Sequence, residues 1–167
     1  MEQLSSIYPE DKKDMYQLLA AQIESVVGDQ TLVISDLSNV SAILNEALKE
    51  INWVGFYLMK NELLQLGPFQ GKLACTKIAL GKGVCGTAAK ERKTQLVEDV
   101  HQFPGHIACD GASNSEIVVP IIIKEEVMGV LDIDSPIFSR FDEEDQKGLE
   151  KIVDILERKC DWDQFHI

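Results

Sequence analysis

Apolar residues recur at two different spacings along the chain, and the change of spacing separates helical segments from strand-forming ones. The spacing is helical from Met15 to Val27, where Gly28 would end the helix, and again from Val40 to Ile51. Asp36 or Ser38 is placed to cap the second of these helices. The first fifty residues are therefore predicted to form two helices.

From Asn52 onward the apolar period becomes two, which is typical of strands. WVGFYLMK, a KNE turn and LLQLG predict one hairpin, and EIVVPIIIK with VMGVLDID predicts a second. A further strand is predicted around residues 73–80, and the glycines at 81, 83 and 86 lead into a short helix that ends near Arg92. Residues 98–115 show little periodicity and are predicted to be a long loop.

The last helix is predicted over residues 142–159, with Asp142 as its N-cap. Helices before, between and after hairpin-linked strands predict an α+β fold with a central antiparallel sheet. Helices would pack on one face, and loops would cover a pocket on the other. We expect a single domain over 1–167, with a helical segment at about 10–50, sheet and active-site loops at about 51–135, and the final helix.

The charge balance excludes some classes of partner. Twenty-eight Asp and Glu residues against 16 Lys and Arg give a net charge of −12, which would repel a nucleic-acid backbone. No apolar run approaches the roughly 18 residues of a membrane span, and the N-terminus lacks the basic and apolar regions of a signal peptide. We therefore expect a cytoplasmic protein that binds neither nucleic acid nor membrane, with cysteines that are not structural disulfides.

Three of the four cysteines are candidates for thiol chemistry. Cys75, Cys85 and Cys109 show no metal-binding spacing, so no metal is expected, although His101 and His106 could join Cys109 as a ligand trio. Cys109 lies in the glycine-flanked loop HIACDGASNSE, where backbone amides can lower a thiol pKa. The alternative is that these cysteines are small buried apolar residues. No role is expected for the fourth cysteine, near the C-terminus.

Acidic and aromatic residues share one end of the predicted sheet. Strand periodicity places Asp132 and Asp134 on a single face, at the hairpin end where Glu116 also lies. Like charges raise one another's pKa, so one of the acids could keep a proton and donate it to an S=O oxygen under thiolate attack. Trp53 and Tyr57 share a strand face and could line a thioether pocket, or could instead be core residues.

Four strings resemble free methionine-(R)-sulfoxide reductases: NWVGFYL, GPFQGKLACTKIALGKGVCGTAA, FPGHIACDGASNSEIVVPI and GVLDIDSP. The likeness extends from about Ile51 to the final helix and implies a GAF-like fold that acts on the free amino acid. The cysteine of HIACDGASNSE, Cys109, is similar to the family's nucleophile, and its attack would leave a sulfenic acid. Cys75 and Cys85 are similar to its resolving and recycling thiols. Their spacing does not show which of the two reacts first with the sulfenic acid, and we favour Cys75.

The same resemblance implies that an intramolecular disulfide is reduced by thioredoxin, with no bound cofactor, as a response to oxidative stress. Glu116, Asp132 and Asp134 match the family's acidic substrate-binding positions, and Trp53 and Tyr57 match its aromatic wall. Selectivity for the free substrate would follow from an ammonium held by these acids. Assembly into a homodimer is left open, as are a ligand-sensing GAF module and a thiol redox sensor without a substrate.

Overall fold

A six-stranded antiparallel sheet forms the centre of this computed structural model, which describes residues 8–28, 30–106 and 111–165. Two helices, α1 and α2, precede the sheet, α3 interrupts it, and α4 follows it. The elements are α1 Lys12–Val26, α2 Val33–Ala47, β1 Trp53–Lys60, β2 Leu63–Gly71, β3 Lys77–Ala79, α3 Gly83–Glu91, β4 Gln95–Val97, β5 Ser115–Ile123, β6 Glu126–Ser135 and α4 Glu143–Lys159.

The strands lie in the order β3-β2-β1-β6-β5-β4, and every neighbouring pair is antiparallel. Both predicted hairpins are present, because β1 pairs with β2 and β5 pairs with β6. The long central strands β1 and β6 also pair with each other, which joins the two hairpins into one sheet. The α+β class with a central antiparallel sheet is confirmed.

One face of the sheet is covered by α1, α2 and α4. Val54, Phe56 and Leu58 of β1 point to this side and join the main apolar core with residues from the three helices. Burial of these side chains is the main source of stability, at roughly 25 cal/mol per Å² of apolar surface removed from water. The predicted helical face of the fold is therefore present, and it leaves the other face available for a site.

The second face carries a smaller apolar cluster built around α3. Trp53 and Tyr57 point to this side, together with Val84 and Ala88 of α3. The alternation of side chains along β1 was predicted from the sequence and is confirmed. Loops and one short helix cover this face, so the space between them and the sheet is the natural place for a pocket.

Several local predictions are wrong. The helix α2 begins at Val33 rather than near Asp36, whose carboxylate accepts hydrogen bonds from Gly28 N and Thr31 Oγ1. The predicted strand at 73–80 is shorter in the structure, where it covers only Lys77–Ala79, so Cys75 lies in a loop. The short strand β4 was not predicted. The side chain of Asp142 caps α4 as predicted, because it accepts hydrogen bonds from the backbone N–H groups of Glu144 and Asp145.

None of the helices in the described ranges is long and apolar enough to cross a membrane.

Candidate active site

The sheet register brings the three predicted acids to one place. Glu116 on β5 lies opposite Asp134 on β6, and Asp132 lies two residues before Asp134 on the same strand. On its other side Asp132 faces Gly55 of β1. Residues two apart on a strand share a face, so the acids project together on the side opposite the main core. Glu116, Asp132 and Asp134 line the same cavity, as their positions in the sequence predicted.

Trp53 and Tyr57 form an aromatic wall of that cavity. Their rings stack with centroids 5.9 Å apart, and Phe69 of β2 stacks on Trp53 with centroids 5.2 Å apart. Trp53 Nε1 donates a hydrogen bond to the carbonyl of Lys72, and Tyr57 Oη donates one to the carbonyl of Cys75. The wall therefore also anchors the 72–76 loop, which carries one of the predicted reactive cysteines.

The glycine between the two aromatic residues is needed for this packing. A Cβ at Gly55 would lie 2.3 Å from the Cβ of Phe69, which no side chain can tolerate. Register also shifts between Gly55 and Tyr57 in the β1–β2 pairing, so the strand is irregular beside the cavity. Glycine at this position therefore lets β2 press Phe69 against Trp53 and keeps the wall in place.

Two of the acids, Glu116 and Asp132, sit in an environment that favours their protonated forms. Glu116 and Asp132 are 6% and 5% exposed. Burial raises the pKa of Glu116 well above its usual value, and the neighbouring charges of Asp132 and Asp134 raise it further. Burial also raises the pKa of Asp132, against the lowering effect of hydrogen bonding with Glu116 and Cys85. Every one of these effects raises the pKa of Glu116, whereas hydrogen bonding lowers that of Asp132. We therefore assign the proton that the cluster shares to Glu116.

Cys85 lies in the first turn of α3 and faces the acids. Its thiol donates to Glu116 Oε1 over 4.0 Å, a long and weak sulfur contact. Burial raises the pKa of the Cys85 thiol well above its usual value, and the charges of Asp132 and Glu116 add to this effect. A helix N-terminus favours a thiolate, but desolvation and three acids outweigh it here. Cys85 therefore stays a thiol, which is a poor nucleophile.

The other cysteines differ from Cys85 in bonding or in location. Cys75 is disulfide-bonded, whereas Cys85 and Cys160 are free thiols. Cys160, the fourth cysteine, belongs to the main core, and burial together with Asp36 raises its pKa to about 12. It does not line the cavity. The predicted nucleophile, Cys109, lies outside the described residues.

Sequence reasoning missed several residues of the cavity wall. Leu73, Lys82 and Ser113 line the cavity although no pattern singled them out, and His106 lines it although it was considered only as a metal ligand. Burial and the nearby His101 lower the pKa of His106, so its imidazole is neutral near pH 7. Ser113 Oγ accepts a hydrogen bond from Asn52 Nδ2 at 3.1 Å. The polar loop HIACDGASNSE was the one available signal for Ser113.

Among the described residues, one group has a geometry suitable for a metal ion. The ligand atoms of Cys85, Glu116 and Asp132 all lie within 4.8 Å of one another. By contrast, the rings of His101 and His106 have centroids 6.4 Å apart, and His101 Nε2 is 3.0 Å from Asn114 Oδ1. The cluster that can hold a metal is thus the acid cluster itself, and the two histidines are not part of it.

Comparison with known proteins agrees with this arrangement. Residues 36–158 match the family model described as GAF domain. The chain is 50% identical over 148 residues to the free methionine-R-sulfoxide reductase of Escherichia coli, an alignment that covers 89% of this chain and 90% of the relative. The chain belongs to the free methionine-R-sulfoxide reductase family. The resemblance expected from the sequence motifs is thereby confirmed.

Solved structures of this family superpose closely on the chain. The free methionine-R-sulfoxide reductase of Neisseria meningitidis in complex with its substrate is 43% identical, with a TM-score of 0.91 and complete coverage of both chains. The fRMsr of Staphylococcus aureus in complex with substrate is 57% identical, with a TM-score of 0.82, and the match covers 86% of this chain and 94% of that one. The GAF-like fold predicted from the sequence is confirmed by these structures and by the family model.

Proposed function

We propose that this protein reduces free methionine-(R)-sulfoxide to methionine in the cavity lined by the acids and the aromatic wall, with Cys109 as the nucleophile. The observation that carries this proposal is a buried acid cluster facing two stacked aromatic rings in a member of this reductase family. An enzyme that reduces a small zwitterion needs both a charged end and an apolar end in its pocket. This cavity has both.

The acids bind the substrate ammonium in this proposal, and the aromatic wall contacts the methyl group and sulfur. A buried ammonium is stable only when it is paired with an anion, and Asp132 and Asp134 supply the negative charge. Contacts between sulfur and an aromatic ring contribute about 0.3–1.5 kcal/mol. A peptide-linked methionine sulfoxide carries an uncharged amide where the free amino acid has its ammonium. It would leave the carboxylates unpaired, so the site selects the free amino acid.

Glu116 is the proton donor to the sulfoxide oxygen. Reduction of S=O requires a proton on the departing oxygen as the sulfur is attacked. Burial and like charges keep this carboxyl protonated at a pH where an ordinary carboxyl has ionised. The remaining acids, which carry the negative charge of the cluster, bind the ammonium. This assignment gives the three acids two different roles, which the sequence alone left open.

The nucleophile comes from the segment that joins two parts of the cavity wall. His106 and Ser113 both line the cavity, and Cys109 follows His106 by three residues and precedes Ser113 by four. The Cys109 thiolate attacks the sulfoxide sulfur, and the oxygen passes to the cysteine. The products are methionine and a Cys109 sulfenic acid, so the substrate sulfur is reduced and the cysteine sulfur is oxidised.

Cys75 resolves the sulfenic acid in our proposal. Its thiol attacks the Cys109 sulfur and releases the oxygen as water, which leaves a disulfide. Two observations support Cys75 over Cys85: Cys75 is disulfide-bonded in this structure, and Cys85 is a buried free thiol whose pKa is raised by its acidic surroundings. Thioredoxin, a dithiol protein, then reduces the disulfide by exchange and regenerates both thiols. The reaction needs no bound cofactor and suits a reducing cytoplasm.

The proposal is tested by measuring turnover of the separated R and S epimers of methionine sulfoxide, each as the free amino acid and within a peptide. Thioredoxin, thioredoxin reductase and NADPH supply the electrons, and NADPH consumption is the readout. We expect turnover only of the free R epimer. The peptide form cannot pair with the buried acids, and the R preference is that of the reductases to which the chain is similar. Equal turnover of free and peptide-bound substrate would contradict the assignment of the acids. Absence of turnover with all four would favour a ligand-sensing GAF module.

A second test separates the two candidate resolving thiols. In Cys75→Ser we expect one equivalent of methionine in the first turnover, followed by loss of thioredoxin-dependent cycling by about a hundredfold or more, because the sulfenic acid has no partner thiol. Cys85→Ser is the matched variant and should continue to cycle. Quenched single-turnover and steady-state measurements give the two quantities. Continued cycling in Cys75→Ser together with its loss in Cys85→Ser would reverse the assignment.

A further inference from the structure

We infer that Cys85, Glu116 and Asp132 form a binding site for a thiophilic divalent cation, of which Zn²⁺ is the natural example. Their ligand atoms lie within 4.8 Å of one another, and all three side chains are buried. Tetrahedral zinc has bonds of about 2.3 Å to sulfur and about 2.0–2.2 Å to carboxylate oxygen, which places its ligands somewhat under 4 Å apart. The 4.0 Å between Cys85 Sγ and Glu116 Oε1 needs only a small adjustment to reach this geometry.

An unpaired acceptor in the cluster points independently to a cationic ligand. One of the two carboxylate oxygens of Asp132, Oδ1, is buried and accepts no hydrogen bond, and the residue is only 5% exposed and lines the cavity. A buried carboxylate oxygen without a partner costs free energy, and a cation entering the cavity would supply the missing partner. The ligand atoms of Cys85 and Glu116 lie within 4.8 Å of the ligand oxygen of Asp132. The cavity would leave the fourth position of the ion open to water or to a small ligand.

The donor set discriminates between classes of cation. One sulfur with two carboxylate oxygens suits Zn²⁺ or Co²⁺, whereas Mg²⁺ and Ca²⁺ prefer oxygen ligands alone. Binding displaces the thiol proton of Cys85, so the protein must be in the state in which this thiol is free, as it is in this structure. The ion would occupy the space between the acids and the aromatic wall.

Occupation of this space has a functional consequence, which rests on the proposed function. The acids that bind the substrate ammonium in our proposal would bind the cation instead, so Zn²⁺ would inhibit the reductase competitively. The binding of the metal does not depend on the reaction, however. The metal site and the substrate site can therefore fail separately in an experiment.

Titration with Co²⁺ tests the metal site, because a thiolate ligand gives a sulfur-to-cobalt charge-transfer band. We expect this band in the native chain and its loss in Cys85→Ser and Cys85→Ala. In Glu116→Gln and Asp132→Asn we expect the affinity for Co²⁺ and Zn²⁺ to be lowered by about tenfold or more. The controls Cys75→Ser, Cys109→Ser and Cys160→Ser should keep both the band and the affinity. So should Glu91→Gln, which changes an exposed glutamate at the end of α3. Mg²⁺ in excess should not displace Co²⁺. Circular dichroism of the metal-free variants shows whether each one is folded.

A charge-transfer band that persists in folded Cys85→Ser, or that disappears in Cys109→Ser or Cys75→Ser instead, would overturn the site. Competition with free methionine tests the functional consequence, and a lowered apparent Co²⁺ affinity in its presence supports a shared cavity. If methionine and Co²⁺ bind together without competition, the inhibition is ruled out and so is the placement of the substrate ammonium on these acids. The metal site itself would stand in that case, because it is judged from the ligand variants alone.

Discussion

Replacement of Cys109 by serine is expected to lower kcat/KM for free methionine-(R)-sulfoxide by about a thousandfold or more, which in practice abolishes turnover. A serine hydroxyl is not ionised near neutral pH, and its oxygen cannot accept the substrate oxygen to form a sulfenic acid. Two of the remaining cysteines cannot replace it: Cys85 is held as a thiol by burial and by the acids around it, and Cys160 lies in the main core away from the cavity.

The measurement is NADPH consumption through thioredoxin reductase and thioredoxin, together with single-turnover release of methionine without a reductant. Cys160→Ser is the matched control, because it removes a thiol that does not line the cavity. Binding of methionine to Cys109→Ser should remain within a few-fold of the native value, since the acids and the aromatic wall are unchanged. Turnover by Cys109→Ser near the native rate would remove this cysteine from the mechanism and with it the proposed reaction sequence.

Strand periodicity was sufficient to place the acids and the aromatic wall of the cavity. A period of two decides which face a side chain occupies, so Asp132 and Asp134 were correctly placed together, and Trp53 and Tyr57 were correctly separated from the core side of β1. The hairpin that ends near Glu116 then brings its carboxyl group to the same place. These predictions succeeded because local backbone geometry determines to which face of the sheet a strand residue points, independently of the rest of the fold.

Loops and long-range contacts could not be predicted in the same way. The 72–76 segment was expected to be a strand, but it is a loop held by hydrogen bonds from Trp53 and Tyr57, which lie far away in sequence. Asp36 resembles a helix cap in the sequence, yet it lies inside α2 and binds the loop before the helix. The burial of Cys85 against Glu116 depends on how α3 packs on β5 and β6, which no local pattern encodes. Roles that follow from such packing needed the structure.

Glu116→Gln is expected to lower kcat by about a hundredfold or more while it stabilises the fold. The amide has nearly the shape of the carboxyl group but cannot give a proton to the sulfoxide oxygen, and loss of a general acid typically costs 10²–10⁴-fold. In the native protein kcat should fall as the pH rises through the raised pKa of Glu116. This decrease of kcat with rising pH should be absent in Glu116→Gln. Glu126→Gln, which changes an exposed glutamate on β6, is the matched control and should keep both the rate and the profile.

The effect on stability follows from the direction of the same pKa shift. The folded pKa of Glu116 is raised, so the folded state binds more protons than the unfolded state above the ordinary carboxyl pKa. The contribution of Glu116 to the free energy of unfolding is therefore fully present below that ordinary pKa and is lost as the pH rises through the folded value. Glutamine removes this dependence, so urea denaturation should show a stability advantage for Glu116→Gln that grows with pH. A variant that loses both activity and stability, with an unchanged pH profile, would show that Glu116 is a packing residue and that the proton comes from another group.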